Sequence, residues 1–227
     1  MDAMQINADR SRPALESGAK LPWRASPEPG VMRKVLERNG GEVALATSIV
    51  RYEAGSRFAS HRHDAGEEFL VLEGVFSDAC GDYASGTYVH NPPGSSHAPF
   101  SESGCVIFVK LRQMTADESD RVVVAPEHQQ WLPTEQGERA ELYRSARTRV
   151  GLERLPAGTR RLIGAWAGGE EAFLITGEAM TLTEPSQTLL PWSWLRRTPS
   201  DALAIHMRTP VTLWVKQGHL LEESSPR

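Results

Sequence analysis

Short apolar runs separated by turn signals dominate the chain. VALATSIVRY, FLVLEGVF, TYVH and CVIFVKL are rich in β-branched and aromatic residues. Between and after them lie RNGG, EAGS, DAGEE, CGDYASG, NPPGSSH and SESG, then PAGT, AGGE and TEPSQ. Short strands punctuated in this way predict an all-β sandwich or barrel. Helical periodicity is weak throughout. The best helical candidates are 31–38, VMRKVLER, which could equally be a strand, and 137–146, GERAELYRSA.

Self-comparison divides the pattern into two copies. RYEAGSRFASHRHDAGEEFLVLEG (51–74) lies over RLPAGTRRLIGAWAGGEEAFLITG (154–177) without a gap, and eight of the 24 positions are identical. The identities include Gly55/Gly158, Gly74/Gly177 and the Gly-Glu-Glu at 66–68 and 169–171, which favours duplication over chance. VIFVKL at 106–111 likewise resembles VTLWVK at 211–216. The expected organisation is a polar tail over 1–20, a first domain over 21–115, a connection over 116–140 and a second domain over 141–227.

Composition narrows the function classes only a little. Forty per cent hydrophobic and 24% charged residues describe an ordinary globular chain of 227 residues. A net charge of -4 provides no general attraction to nucleic acid or anionic membrane. No apolar run approaches the roughly 20 residues of a membrane span. The N-terminus lacks an apolar signal core, so a cytoplasmic protein is expected. Cys80 and Cys105 have no CxxC partner, which excludes a zinc knuckle and fits a reducing compartment.

The chemistry concentrates in HRHDAGEE. On a strand, His61 and His63 project from one face, and imidazoles two residues apart can converge on one ion. The Asp64-Ala65-Gly66 turn can return Glu67 to the same ion, with Glu68 pointing away; a slip of one residue would exchange them. GTYVHNPPGSSH offers a third imidazole from either His90 or His97. Three imidazoles and a carboxylate suit zinc, iron(II), nickel or manganese.

These stretches resemble the two signature motifs of the cupin superfamily. The first is matched by Gly55, His61, His63, Glu67 and Gly74, the second by Gly86, Pro92, Gly94 and His97. Ser101 stands where many cupins have asparagine, and the 11 residues between the motifs are few for a cupin. Residues 30–114 look like the cupin domain of ChrR-type anti-sigma factors, which binds zinc. The resemblance implies two cupin (jelly-roll) barrels in tandem and His61, His63, Glu67 and His97 as ligands to one divalent ion, with zinc first among the candidates. It decides for His97 over His90. Tyr52, Tyr88 and His90 are candidate supporting groups. The sigma-binding helical domain of such regulators has no counterpart in this sequence, so sigma-factor binding is not expected.

In the second copy Gly164 and Trp166 replace His61 and His63, Glu170 keeps the place of Glu67, and no histidine matches His97. A metal-free second domain is expected, with Trp166, Trp192 and Trp194 filling the vacated cavity. Two functions remain open. One is a regulatory or sensing module; the other is an iron-dependent dioxygenase acting on a small diketone-like molecule. A homodimer is the default assembly, because barrel edges invite pairing.

Overall fold

The computed structural model describes residues 4–41, 43–114 and 118–220. Among these the protein is built of strands, with two short 3-10 turns at Pro126–His128 and Pro199–Asp201. It divides into two compact units. The first comprises residues up to Ala8 and Lys20–Gln129; the second takes Asp9–Ala19 and the chain from Gln130.

In the first unit the antiparallel sheet runs Val31–Gly40, Ala44–Tyr52, Cys105–Leu111, Glu67–Asp78, Tyr88–Asn91 and Val122–Val124. His61–His63 pairs separately with Ser95–His97. The second unit repeats this order with Gly137–Arg144, Arg149–Leu155, Val211–Gln217, Glu170–Thr176 and Ser193–Arg197. Its outer edge is closed by Ala14–Ser17, and Arg160–Ile163 pairs with Leu203–Met207.

Strand alternation sorts the side chains. Phe69, Val71, Val89, Ile107 and Val109 form the interior of the first unit. Leu174, Leu195, Ile205, Met207 and Leu213 belong to the corresponding interior of the second. Each such side chain contributes about 1.5–3 kcal/mol on burial. The aligned glycines have a backbone cause. Gly74 and Gly177 both take positive φ, 72° and 87°. A Cβ there would strike the carbonyl oxygen of Gly104 or Pro210 in the neighbouring turn, so no other residue fits.

Three expectations are corrected. The helical candidate 137–146 falls mainly in the strand Gly137–Arg144, and 31–38 takes its strand alternative within Val31–Gly40. Each contains a bulge, between Val35 and Glu37 and between Glu141 and Tyr143. The extra residue breaks the two-residue period and makes the apolar spacing look helical. The segment 1–20, read as a polar tail, carries strands Met4–Ile6 and Ala14–Ser17; the second is anchored where Arg196 donates to the carbonyl oxygens of Arg12 (3.2 Å) and Asp9 (2.8 Å). The tryptophans do not fill a vacated cavity. Trp194 points to the other sheet face and donates to Glu171 at 3.0 Å, Trp192 sits in a turn at φ 71°, and Trp166 is exposed under Arg149.

On that other face of the second unit lies a buried His219, whose Nε2 is 3.0 Å from Glu171. Burial pushes its pKa down to about 3, against the pull of Glu171. The unfolded chain therefore takes up a proton near pH 6.5 that the folded unit refuses. Unfolding free energy should fall as pH drops through 6.5 toward 3, the slope steepening toward its one-proton limit once the unfolded histidine is fully protonated. Urea titrations at pH 7, 6 and 5 should show His219→Gln lacking this contribution; an equal slope in both proteins would refute it.

Candidate metal centre

The short ladder His61–His63 with Ser95–His97 sets the imidazoles. His61 and His97 are direct cross-strand partners, and His63 is two residues along the same face. The three rings lie 4.7–5.0 Å apart between centroids, and their ligand atoms all fall within 4.8 Å of one another. The His63 and His97 Nε2 atoms are 3.0 Å apart. Glu67, first residue of its strand, brings Oε2 to 3.5 Å from His63 Nε2 and 3.4 Å from His97 Nε2. Donors around one ion at bonds of about 2.0–2.1 Å stand roughly 3–3.5 Å apart, so the spacing suits a shared metal.

The outer nitrogens decide the tautomers. His61 Nδ1 lies 2.9 Å from the Ala59 carbonyl oxygen, which can only accept, so this nitrogen carries the proton and Nε2 keeps its lone pair. His97 Nδ1 lies 3.2 Å from Asp78 Oδ2 and is fixed in the same way. Burial lowers the His63 pKa to about 4, with His61 adding to the effect. Burial likewise lowers that of His97, against the pull of Glu67, and raises that of Glu67. At neutral pH His63 and His97 are uncharged ligands, and a cation would compensate the desolvated carboxylate.

A second layer holds the donors in place. Asp78 Oδ1 accepts from the Cys80 backbone at 2.8 Å and from the Tyr83 hydroxyl at 2.9 Å. Asn91 donates to Glu67 at 3.2 Å. Arg121 braces both arms, donating to Tyr83 at 2.6 Å and to Asn91 at 3.2 Å. Sequence reasoning missed Asp78, Tyr83, Asn91 and Arg121. Asn91 is set opposite Glu67 by strand register, and Arg121 comes from the connection; neither relation is visible along the chain.

The supporting groups named from sequence separate. Tyr52 lines the cavity beside the imidazoles; it packs on Phe58 and Phe76, and burial with the Glu67 charge raises its pKa. Tyr88 and His90 face the opposite side of the sheet, because they pair in register with Leu70 and Glu68. Tyr88 donates to Glu68 at 2.8 Å. His90 is engaged by Asp120 and Glu118 at 3.0 and 3.2 Å. The reading of Tyr88 and His90 as supporting groups is therefore corrected. Ser101 donates to the Val75 carbonyl oxygen at 2.6 Å and does not touch the site.

Glu170 of the second unit, which aligns with Glu67, has different company. Arg161 donates to it at 2.5 Å, Gln217 at 2.9 Å and the Gly164 backbone at 2.8 Å. Arg161 also holds Glu153 at 3.0 Å. Despite its own burial, Arg161 is kept more firmly protonated than usual by these two carboxylates. A guanidinium thus takes up the carboxylate at the position matching the metal centre.

Residues 12–115 match the family model of the ChrR Cupin-like domain. Protein Ylba from E. coli superimposes with a TM-score of 0.74 at 12% identity, over 98% of this chain and 96% of that one. The oxalate decarboxylase of Lactobacillus farciminis, in a formate complex, gives 0.65 at 10% identity, over 92% and 87%. The fold is that of the cupins. AerE from Microcystis aeruginosa also shares it, at a TM-score of 0.64 and 13% identity, over 87% of this chain and 96% of its own. No curated protein matches the sequence. Among the described residues no helix is long and apolar enough to cross a membrane.

Proposed function

We propose that the first cupin unit binds one divalent metal ion through His61, His63, Glu67 and His97 and presents it to a small organic molecule. This makes the chain a metal-dependent enzyme of the oxidoreductase kind, with dioxygenase chemistry on a diketone-like substrate as its simplest form. One observation carries the reading. The donor cluster lies in the wall of a cavity of about 280 Å³ whose other walls include Val50, Ile107 and Val109. A closed structural ion needs no such space, whereas catalysis needs an exchangeable position facing one.

The bound ion would supply Lewis acidity and open coordination positions. The donor set of imidazole nitrogens and one carboxylate oxygen suits iron(II), manganese, nickel or zinc. Asp78 and the Ala59 carbonyl keep the His97 and His61 lone pairs turned inward. Arg121, through Asn91, keeps Glu67 against the imidazoles. Val50, Ile107 and Val109 offer the substrate an apolar wall. The second unit reads as a degenerate copy in which Arg161 takes the place of the ion, leaving a structural part.

A regulatory or sensing role is the second reading, favoured by the match to the ChrR Cupin-like domain. Two measurements test the proposal. Elemental analysis of protein purified without an affinity metal should find about one metal per chain, lost in His61→Ala. The iron-loaded protein should consume oxygen with at least one of a panel of small diketones. Metal retained in His61→Ala refutes the site; metal bound with no oxygen uptake refutes the dioxygenase chemistry and favours sensing.

A further inference from the structure

The cavity beside the imidazoles is lined by four arginines, Arg33, Arg38, Arg62 and Arg112, and by the carboxylates Asp64 and Glu67. Arg33 lies on the strand Val31–Gly40 opposite Val50, a wall residue. Beyond it, the bulge between Val35 and Glu37 resets the alternation. Glu37 therefore turns to the far face, where it accepts from Thr47 at 2.8 Å. Arg38 comes round to the cavity opposite Ala46. Without the extra residue, the carboxylate would face the cavity and the guanidinium would leave it.

The partners of these arginines differ from those of their neighbours. Arg62 and Arg112, also at the cavity, lie 3.3 and 3.8 Å from Asp64. Among the described residues Arg38 donates to the Gly41 carbonyl oxygen and has no ion pair. Among the described residues Arg33 has no hydrogen bond and no ion pair. Burial lowers its pKa, and nearby Arg38 adds to the effect. A partly desolvated guanidinium lacking a counter-charge is unfavourable unless a ligand supplies one. The volume of about 280 Å³ equals about nine waters at ~30 Å³ each.

We propose that this cavity takes a small organic acid, its carboxylate held by Arg33 and Arg38, its apolar body against Val50, Ile107 and Val109, and its far end toward the histidine cluster. Guanidinium forks match a carboxylate in shape as well as charge. The inference rests on the reading of the cavity as the place where a small molecule meets the metal, and it replaces a neutral diketone with an anion as the substrate class.

The test compares two isosteric probes that differ only in charge, 4-methylpentanoate and 4-methylpentanamide. Binding to the full chain is measured by calorimetry, with metal content determined on the same samples. The carboxylate should bind at least tenfold more tightly. Arg33→Met should abolish that preference, leaving amide affinity within twofold and metal content unchanged; Arg33→Lys should retain part of it, and Arg38→Met should reduce it. Equal affinity for the two probes, or no binding of either, overturns the proposal without recourse to any variant. A preference that survives in both Arg33→Met and Arg38→Met also overturns it. A wild-type chain that binds the acid but contains no metal sinks the metal reading while upholding the anion site.

Discussion

Replacing Glu67 by glutamine is expected to lower metal affinity at least a hundredfold while leaving the metal-free protein as stable as before or more so. Glu67 reaches the inward Nε2 atoms of His63 and His97 at 3.5 and 3.4 Å, whereas Asp78 meets the outward Nδ1 of His97. Loss of a supporting outer group typically lowers metal affinity 10–100-fold, and loss of the sole anionic donor should exceed that. Without a cation, however, the buried carboxylate is a burden, which is why burial raises its pKa. Glutamine keeps an oxygen to accept from Asn91, now 3.2 Å from Glu67, and carries no charge to desolvate. Thermal unfolding with and without a chelator checks both halves. A metal at a hundred times its Kd stabilises by about 2.7 kcal/mol, so chelation should lower the wild-type Tm and leave Glu67→Gln unmoved. Stoichiometric metal in dialysed Glu67→Gln would contradict the ligand assignment.

Arg161→Met should strongly destabilise the second unit. Arg161 is shared by Glu153 and the fully buried Glu170. Removing one partner of a buried ion pair costs about 3–5 kcal/mol; here Glu153 keeps Arg139 at 2.8 Å, but Glu170 is left with the neutral donors Gln217 and the Gly164 backbone. At about 2–4 °C per kcal/mol for a chain of this size, Tm should fall by roughly 6–20 °C. Arg161→Met with Glu170→Gln should recover part of the loss, since the most buried orphan charge is then gone. A single variant within 2 °C of wild type would show that the guanidinium is not what satisfies these carboxylates. First-unit metal content should be unchanged in both variants.

How far each feature could be read in advance follows from the distance over which its cause acts. Strand-and-turn spacing, the internal repeat and the His61, His63 and Glu67 grouping are local. They depend on a two-residue period and on glycines whose φ sign is set within a single turn, so a linear reading reaches them. The bulges at Val35/Glu37 and Glu141/Tyr143 lie beyond that reach. They are recognised only when a partner strand shows two residues facing one, and without the partner their apolar spacing imitates a helix. Trp194 was misplaced for a related reason: its strand was legible, but the face it presents is set by pairing with Phe173.

What the amino-acid sequence by itself determined, then, is the all-β plan in two copies and a histidine-glutamate grouping present in only one of them. Tertiary structure alone decided the rest. It brought Asp78 from the end of the strand Glu67–Asp78 onto His97, Arg121 from the connection onto Asn91 and Tyr83, and Arg161 onto Glu170. It also turned Tyr88 and His90 away from the centre and Arg38 toward the cavity. Hydrogen bonds and ion pairs act over about 3 Å in space with no regard to separation along the chain, so only the folded register can state which charges meet.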